Sequence, residues 1–457
     1  MNIKTITISG LRGFADPQML PLAIPNGKAG SGLTILVGPN NGGKSTIVEA
    51  FRALSKSSAP SFPIGKRNKL AGAQINIVIE NLAGGTKGLK TVSGGGSETE
   101  WVESNVEPLS ERIFVLPSRR FFDPYFKKDS LSREKFTSGI GLPPARGQAI
   151  QRFSARLFEI QNNRESYNKV LEKVLDPIPE WVIEQADTGQ YYLNFRFGQA
   201  EHSSDGLGDG LVSLLLIVDA LYDSQPDDVI VIDEPELSLH PALQKRLNTL
   251  LAEYATHRQI VISTHSPYFV DFNTLLNGAR IARVQTKSSR IVIHPITDSS
   301  IRNLQGLLKN RNNPHILGLV AKEVFFLEDR VILVEGQDDV VFYKEILSQL
   351  QKDISGDFYG WGVGGAGNMD AIAFMLRDLG FEKVAGVLDK NEEQRLGGLT
   401  ADFPEYRFFV IPVDDVRTRS DREGLLDEEY QLRPKYYAEI SEIINNINNF
   451  FGDIPLI

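Results

Sequence analysis

"VGPNNGGKST", residues 37–46, is the stretch of sequence that decides the fold, because it joins a strand pattern to a helix pattern. The apolar run "LTILV" leads into the glycines, and "IVEAFRAL" follows them with helical spacing of its apolar residues. Glycines at this spacing let backbone N–H groups surround an anion, while the start of the helix adds partial positive charge. The stretch fits G-x-x-x-x-G-K-[ST] and predicts an α/β fold with a phosphate-binding loop.

A nucleoside triphosphate is the ligand that this loop predicts. Lys44 is expected to reach the terminal phosphates of ATP, and Ser45 is expected to be a ligand of Mg²⁺. The predicted ATP-binding positions are Gly38, Pro39, Asn40, Asn41, Gly42, Gly43, Lys44, Ser45 and Thr46. A glycine-rich turn that arose by chance is the alternative, and the agreement of strand, spacing and helix argues against it.

A second apolar strand, in "DDVIVIDEPELSLHP" at residues 227–241, ends in two acids. Ligands bind at the carboxyl ends of parallel strands, so we expect Asp233 to hold Mg²⁺ and Glu234 to polarise the attacking water. "QIVISTHSP", residues 259–267, places His265 after a further strand, where it is expected to sense or stabilise the γ-phosphate. A histidine in this position is often only a polar cap, and its order in the chain favours the catalytic role.

Together these motifs resemble the ATP-binding-cassette (ABC) ATPases, specifically the branch of SMC and RecF-like proteins. In that branch "DEPE" is followed by "LHP" and the switch histidine stands in "STHSP". The N-terminal "ITISGLRGF" is similar to the opening strand of the branch, which implies that Arg12 and Phe14 lie near the nucleotide base. The resemblance therefore implies an ABC-type ATPase head with a helical insertion.

"HSSDGLGDGL", residues 202–211, resembles the signature loop of that family, with Ser204 and Gly206 as ATP-binding residues. It departs from the common S-G-G-Q form, since Asp205 replaces a glycine and no glutamine follows; a plain helix N-cap is the alternative. In the family this loop completes the ATP site of a second subunit, which implies a homodimer or higher homo-oligomer through the heads. The glutamine that reports on Mg²⁺ is not identifiable, and "FVLPSRR" occupies its region.

The C-terminal part of the chain starts a second strand and helix series. "VILVEGQDDVVFYKEIL", residues 331–347, resembles the opening of a Toprim fold, with Glu335 at a strand end and Asp339 entering a helix. "VAGVLDK", residues 384–390, resembles the third strand of that fold and ends at Asp389. Carboxylates at one sheet edge suit a hard cation, so a Mg²⁺ or Mn²⁺ site is expected at Glu335, Asp339 and Asp389.

The order of an ABC head followed by a Toprim-like domain resembles the OLD (overcoming lysogenization defect) family, over almost the whole chain. The third motif of that family is D-x-D, whereas this chain has Asp389-Lys390-Asn391. Three further acids are candidates for compensation, namely Glu392, Glu393 and Asp414. A one-metal centre, an inactive centre and an acidic Rossmann-like domain without metal stay open as alternatives.

The expected domains are residues 1–325, an ABC-type ATPase with a helical insertion at about 123–185, and residues 326–457, the smaller Toprim-like domain. Between about 119 and 156 basic residues outnumber acidic ones. This stretch either lines a nucleic-acid path or forms a solvated or subunit-facing surface, and the second interpretation is preferred. The residues concerned are Arg119, Arg120, Lys127, Lys128 and Arg133, with Phe121, Phe122 and Tyr125 as stacking candidates.

Composition restricts the other classes. The chain has 457 residues, no cysteine and a formal net charge of -9, which excludes thiolate chemistry and argues against a surface coated with nucleic acid. No run approaches the roughly 18 apolar residues of a membrane span, and the N-terminus alternates as a strand does. We therefore expect a cytoplasmic protein that has no membrane partner.

Two functions agree best with these sequence features. The first is an Mg²⁺-dependent ATPase in anti-phage defence whose Toprim-like domain is an ATP-regulated endonuclease. The second is a non-nucleolytic sensor and scaffold that responds to a phage trigger protein and holds or releases a separate toxic effector, as in two-component systems such as PARIS. The Asp-Lys-Asn departure favours the second. DNA repair of the RecF kind is a minor third alternative, because it does not explain the Toprim-like domain.

Overall fold

The computed structural model describes two compact units, residues Met1–Ile293 and His294–Ile457. The described residues are 2–93, 96–104, 113–118, 120, 127–128, 153–197, 200–203, 208–226, 228–308, 315, 318–327 and 329–452. The two units are called the first unit and the second unit below, and each is described by itself. Among these described residues, no helix combines the length and apolar character needed to cross a bilayer.

The secondary structure alternates strands and helices along most of the chain. The strands are β1 Ile3–Ser9, β2 Gln18–Pro21, β3 Leu33–Val37, β4 Asn76–Asn81, β5 Thr86–Thr91, β6 Thr99–Ser104, β7 Ile113–Leu116, β8 Glu180–Gln185, β9 Tyr191–Phe197, β10 Ala200–Ser203, β11 Val229–Asp233, β12 Gln259–Ser263, β13 Arg280–Lys287, β14 Arg290–Pro295, β15 Val331–Leu333, β16 Asp357–Phe358, β17 Val384–Leu388 and β18 Arg407–Val410. The helices are α1 Lys44–Leu54, α2 Phe153–Asn162, α3 Arg164–Leu171, α4 Asp209–Tyr222, α5 Pro241–Tyr254, α6 Phe272–Asn277, α7 Asp298–Leu308, α8 Leu319–Glu323, α9 Gln337–Leu350, α10 Met369–Asp378, α11 Leu396–Asp402 and α12 Tyr437–Phe451.

The main sheet of the first unit has the strand order β14-β13-β3-β12-β11-β7, and its strands from β13 to β7 run parallel. Every residue of β3, β11 and β12 is buried. Strands buried on both faces are continuous apolar runs, which is the pattern that the sequence shows. The expected α/β fold class is confirmed, and the carboxyl ends of three neighbouring strands meet at one edge.

A second sheet of the first unit is antiparallel, in the order β2-β1-β4-β5-β6. Apolar residues from this sheet, from α1 and from the parallel sheet form one core cluster. The glycines and serines of residues 82–100 predict a surface loop, and this prediction is wrong. These residues form β5 and the start of β6, because Leu89 is buried in the core and Trp101 packs against it.

Of the expected helical insertion, the structure describes residues 127–128 and the part from residue 153 onwards, where α2 and α3 lie. Five apolar residues recur here at the spacing that predicts a helix, and all are buried: Phe153, Leu157, Ile160, Tyr167 and Leu171. The expected end of the insertion near residue 185 is wrong, because residues 180–185 form β8. This strand pairs antiparallel with β9, which in turn pairs with β10.

The second unit contains a parallel sheet in the order β16-β15-β17-β18, with helices between its strands. This is the smaller Rossmann-like domain that the sequence predicts. The unit begins at His294, whereas the expected boundary was 325/326. Residues before 325 belong to it because Thr297 and Ser300, at the start of α7, both donate hydrogen bonds to the carboxylate of Asp378 in α10.

One buried ion pair of the first unit yields a stability prediction. Arg156 in α2 donates to Asp219 in α4 at 2.9 Å, and both side chains are buried. We expect Asp219→Ala to lower the free energy of unfolding of this unit by about 3 kcal/mol, because it leaves a buried guanidinium without its main partner.

The matched control is Asp223→Ala. Asp223 pairs with the same guanidinium at 3.2 Å, and its side chain is 35% exposed. Its loss is expected to lower stability by less than about 1 kcal/mol. Thermal and urea unfolding of both variants measures the difference, and equal losses would contradict the buried-pair interpretation.

Candidate functional sites

The phosphate-binding loop depends on glycines because a neighbouring strand lies very close to it. Gly38 and Gly43 have φ angles of 123° and 106°, which L side chains rarely adopt. A Cβ atom at Gly38 would lie 2.3 Å from the carbonyl oxygen of Val284 in β13, and one at Gly42 would lie 2.4 Å from the same atom. The backbone of the loop therefore follows the end of β13 with no space for side chains at these positions.

Lys44 is the first residue of α1, and its buried side chain turns back into the loop. Its Nζ donates hydrogen bonds to the carbonyl oxygens of Gly38 and Pro39, each at 2.9 Å. Burial lowers the pKa of Lys44 to about 8, and the charges of Asp233, Glu234 and Glu236 oppose that lowering. The ammonium group is thus held by two carbonyl oxygens of the loop itself.

Asp233 ends β11 beside the loop, with its side chain buried. Its Oδ1 accepts a hydrogen bond from Ser45 Oγ at 3.4 Å. Burial raises the pKa of Asp233, and the hydrogen bond from Ser45 together with the charges of Arg120 and Arg52 opposes the rise. A hydroxyl and a carboxylate oxygen at hydrogen-bond distance form a donor set that suits Mg²⁺, whose preferred ligands are oxygens.

Glu234 leaves the strand end in a left-handed backbone conformation, with φ at 49°. Its N–H donates to the carbonyl oxygen of Ser263 in β12 at 2.7 Å, which fixes the turn against the neighbouring strand. Burial raises the pKa of Glu234, and the adjacent Asp233 raises it further while Lys44 opposes the rise. Glu234 lines the same cavity as Lys44, as expected for a group that acts on the attacking water.

His265 follows β12 and is held by a carboxylate that the sequence reading missed. Glu236 accepts a hydrogen bond from the His265 N–H at 2.6 Å through Oε1 and one from Thr264 Oγ1 at 2.8 Å through Oε2. Burial lowers the pKa of His265 to about 4, and Lys44 lowers it too, so the imidazole is neutral at pH 7. Glu236 is the last residue of "DEPE", so the motif itself could have identified it as a candidate.

Most of the predicted ATP-site residues line one cavity of about 640 Å³ in the first unit, whereas Gly38, Pro39 and Asp233 lie beside it and are not part of its lining. Its lining includes Asn40, Asn41, Gly42, Gly43, Lys44, Ser45, Thr46, Glu234 and His265. Arg12 also lines it, whereas Phe14 is buried in the core. Ser204 and Gly206 lie outside the described residues, so their expected role in ATP binding stays a prediction.

The preferred interpretation of the basic stretch is wrong for Arg120. Its side chain is buried, and it donates hydrogen bonds to the carbonyl oxygens of Asp233 and Glu234. Lys127 and Lys128 are exposed. The remaining candidates of this stretch, Arg119, Arg133, Phe121, Phe122 and Tyr125, lie outside the described part of the chain.

The second unit brings its predicted carboxylates to one sheet edge. Glu335 stands shortly after β15, Asp339 is in the first turn of α9, and Asp389 follows β17. The Asp389 N–H donates to Glu335 Oε1 at 3.0 Å, and the Gly336 N–H donates to Asp339 Oδ2 at 2.8 Å. All three acids line one cavity of about 420 Å³.

The electrostatics of this cavity are those of crowded acids. Burial raises the pKa of Asp389 to about 9, with Asp339 and Glu335 adding to the rise. Burial likewise raises the pKa of Asp339 to about 7, and it raises the pKa of Glu335. An oxygen-only donor set of this kind fits a hard divalent cation. Within the described ranges, however, no three His, Cys, Asp or Glu side chains are arranged to enclose a metal ion.

Beside the Asp-Lys-Asn segment, further acids reach the cavity from the part of the chain that follows β18. Lys390 pairs with Glu393 at 2.7 Å, and Glu392 pairs with Arg395 at 2.5 Å, so these acids have local partners. The cavity lining instead includes Asn391, Asp414 and Asp415. Asp414 was among the expected candidates for compensation, whereas Asp415 was missed although it is the next letter of "IPVDD".

Two family models match the chain. One, described as "AAA domain, putative AbiEii toxin, Type IV TA system", matches residues 142–271, the range that contains Asp233, Glu234 and His265. The other, described as "AAA domain", matches residues 5–104, the range that contains the phosphate-binding loop.

Two curated proteins are similar to the chain. The OLD nuclease of Thermus scotoductus (strain ATCC 700910 / SA-01) is 25% identical over 386 residues, which cover 70% of this chain and 71% of that protein. Endonuclease GajA of Bacillus cereus (strain VD045) is 24% identical over 266 residues, which cover 52% of this chain and 42% of that protein. The chain is therefore similar to AAA-type ATPases and to the OLD nuclease, and these similarities support ATPase activity.

The chain is also similar to the SMC head domain from Thermotoga maritima, with a TM-score of 0.39 and 18% identity. That similarity covers 65% of this chain and 100% of the solved chain. The ABC-type ATPase head that the sequence predicts is confirmed by the parallel sheet of the first unit and by the family models.

Two substitutions are expected to separate binding of ATP from its turnover. Lys44→Ala is expected to lose nucleotide binding, because it removes the ammonium group from the loop. Glu234→Gln is expected to bind ATP as the wild type does and to hydrolyse it at least about 100-fold more slowly. Fluorescent-nucleotide titration and phosphate release measure the two quantities, and an unchanged hydrolysis rate in either variant contradicts the assignment.

Glu236→Ala is expected to lower kcat by about 100-fold with little change in ATP affinity, because His265 and Thr264 lose the acceptor that positions them. The matched control is Glu253→Ala at the end of α5, where an exposed Glu253 pairs with Lys173. Steady-state kinetics of both variants test this, and equal kcat values in the two proteins would exclude a role for Glu236.

Proposed function

We propose that the chain hydrolyses ATP with Mg²⁺ in its first unit and, under the control of that ATP state, cleaves nucleic acid at the carboxylate cluster of its second unit, as part of an anti-phage defence system. The observation that carries the first half is the convergence of Lys44, Glu234 and His265 on one cavity, with Asp233 bonded to Ser45 at its base. The nuclease half is supported by Glu335, Asp339 and Asp389 in one cavity and by similarity to an OLD nuclease and an endonuclease.

In the proposed ATPase mechanism the loop N–H groups and Lys44 bind the β- and γ-phosphates. Ser45 and Asp233 would hold Mg²⁺, which when bound neutralises charge on the phosphates. The Glu234 carboxylate orients the attacking water and accepts its hydrogen bond. His265, a neutral imidazole at pH 7, offers a hydrogen bond near the γ-phosphate without adding charge.

The proposed assembly is a homodimer or higher homo-oligomer of the ATPase heads. Support comes from the family resemblance of Ser204 and Gly206 to a signature loop, which in ABC-type heads acts on the nucleotide of a second subunit. The cavity of the first unit contains loop, acid and histidine residues of one chain, so a second copy would supply the remaining contacts to ATP.

In the proposed nuclease site Glu335, Asp339 and Asp389 would hold Mg²⁺ or Mn²⁺. Such a cation, when bound, stabilises the charge that develops on a phosphodiester during attack by water. Asp414 and Asp415 bring further carboxylates to the cavity beside Asn391. These two carboxylates would replace the negative charge that is missing at Asn391, and they favour the nuclease over an inactive domain.

The test of the nuclease is incubation of the purified protein with plasmid DNA and with tRNA in Mg²⁺ or in Mn²⁺. Cleavage is expected in the wild type, with loss of at least about 100-fold in Glu335→Ala and complete loss when EDTA removes the metal. Glu393→Ala is the control, since Glu393 pairs with Lys390 outside the cavity lining. Cleavage that persists in Glu335→Ala would assign the activity to another site or to a contaminant.

The second candidate function is a non-nucleolytic sensor and scaffold that binds a phage trigger protein and releases a separate toxic effector. Two observations favour it: Asn391 stands where the family motif has an acid, and no three side chains of the described residues enclose a metal. Absence of cleavage under every metal condition, with ATP hydrolysis intact, would overturn the nuclease and favour this second function.

A further inference from the structure

Arg120 connects three parts of the first unit beneath the two acids of the ATP site. It follows β7 closely, and it is 4% exposed. Its Nη1 donates to the carbonyl oxygens of Pro117 at 2.7 Å and Asp233 at 2.6 Å. Its Nη2 donates to the carbonyl oxygen of Glu234 at 2.7 Å, and its Nε donates to Ser213 Oγ in α4 at 2.7 Å.

These contacts hold a backbone conformation that would otherwise be unfavourable. Glu234 has a φ angle of 49°, which is disfavoured for a residue with a Cβ atom because that atom crowds the following carbonyl oxygen. Arg120 binds the carbonyl oxygens of Asp233 and Glu234, so it holds the peptide units on both sides of the Glu234 Cα. The backbone of this turn is also held by the Glu234 N–H, which donates to the carbonyl oxygen of Ser263 at 2.7 Å, and by the Leu237 N–H, which donates to the carbonyl oxygen of Glu234 at 3.2 Å.

The charge of Arg120 also matters for the acids. Burial lowers its pKa to about 10, so the guanidinium is protonated at pH 7. A buried positive charge beside Asp233 and Glu234 opposes the repulsion between their carboxylates. Arg120 does not line the nucleotide cavity. Its influence on the two acids therefore comes through its charge and through its hydrogen bonds to their backbone carbonyl oxygens.

We propose that Arg120 is a positioning residue for ATP hydrolysis, which fixes the turn that directs Asp233 and Glu234 into the site and ties this turn to α4 through Ser213. The inference deepens the proposed function of the first unit and rests on it. A guanidinium suits the task because its planar donors serve several carbonyl oxygens at once, which a lysine ammonium reproduces only in part.

The experiment compares Arg120→Lys and Arg120→Gln with the wild-type full chain. Steady-state hydrolysis gives kcat and KM, and titration with a fluorescent nonhydrolysable ATP analogue gives Kd. We expect kcat to fall by about 100-fold in Arg120→Gln and less in Arg120→Lys, while Kd stays within about twofold of the wild type. This split between turnover and binding distinguishes positioning from a general loss of structure.

The matched control is Arg156→Gln, which removes another buried arginine of the first unit that contacts α4 through Asp219. It is expected to lower the melting temperature and to leave kcat of the folded protein within about twofold. Unchanged kcat in both Arg120 variants, a loss of affinity as large as the loss of kcat, or equal kcat losses in Arg120→Gln and Arg156→Gln would each overturn the proposal.

If Arg120→Gln does not fold, the measurements on Arg120→Lys alone test the proposal. A folded Arg120→Lys protein with lowered kcat and unchanged Kd supports the proposal, and one with wild-type kcat overturns it. Failure of the proposed function is recognised separately, since it would appear as absence of ATP hydrolysis in the wild type.

Discussion

The register of three parallel strands is the constraint on which the ATP site depends. Asp233 of β11 pairs with Ser263 of β12, and Ser263 pairs with Leu36 of β3. These strands therefore end at the same level, and the chain segments that follow them meet at one edge of the sheet. A shift of one residue in any pairing would reverse the direction of every side chain in that strand, and it would move an acid or the loop out of the site. All residues of the three strands are buried. A slipped strand would draw the polar residues at one of its ends into this apolar core, and the cost of burying them opposes the shift.

Much of the ATP site could be predicted from the sequence, since its residues stand at fixed offsets from strongly apolar strands. Arg120 could not be predicted, because local charge density indicates a solvated surface and gives no information about carbonyl acceptors far away in the sequence. Glu236 was missed for a related reason. Its partners are the His265 N–H and the Thr264 hydroxyl on the next strand, and only the parallel pairing brings them together. The segment around β5 was misread because its glycines and threonines suggest a loop, whereas cross-strand pairing and the buried Leu89 stabilise it as a strand.

The second unit shows the same limit in its acids. The sequence located Glu335, Asp339 and Asp389 because each stands next to an apolar strand or begins a helix. It did not locate Asp415, whose position near the cavity follows from the path of the chain after β18. Arg419 pairs with Asp415 at 2.6 Å and with Asp338 at 3.3 Å, so the rim of the cavity holds positive charge among its carboxylates. A motif in one segment of sequence cannot reveal a site whose residues follow several different strands.

The hydrogen bonds of Lys44 to its own loop have a consequence for selectivity among anions. Two of the three ammonium donors of Lys44 already bond to the carbonyl oxygens of Gly38 and Pro39, so the side chain offers one further donor to an incoming phosphate unless those bonds are exchanged. A net gain requires that the ligand also meets the backbone N–H groups of the loop and the start of α1. Inorganic phosphate, which is small, satisfies few of these donors, whereas a polyphosphate chain extends across them. We therefore expect the loop to favour a polyphosphate chain over a single phosphate ion, because Lys44 alone offers few free donors.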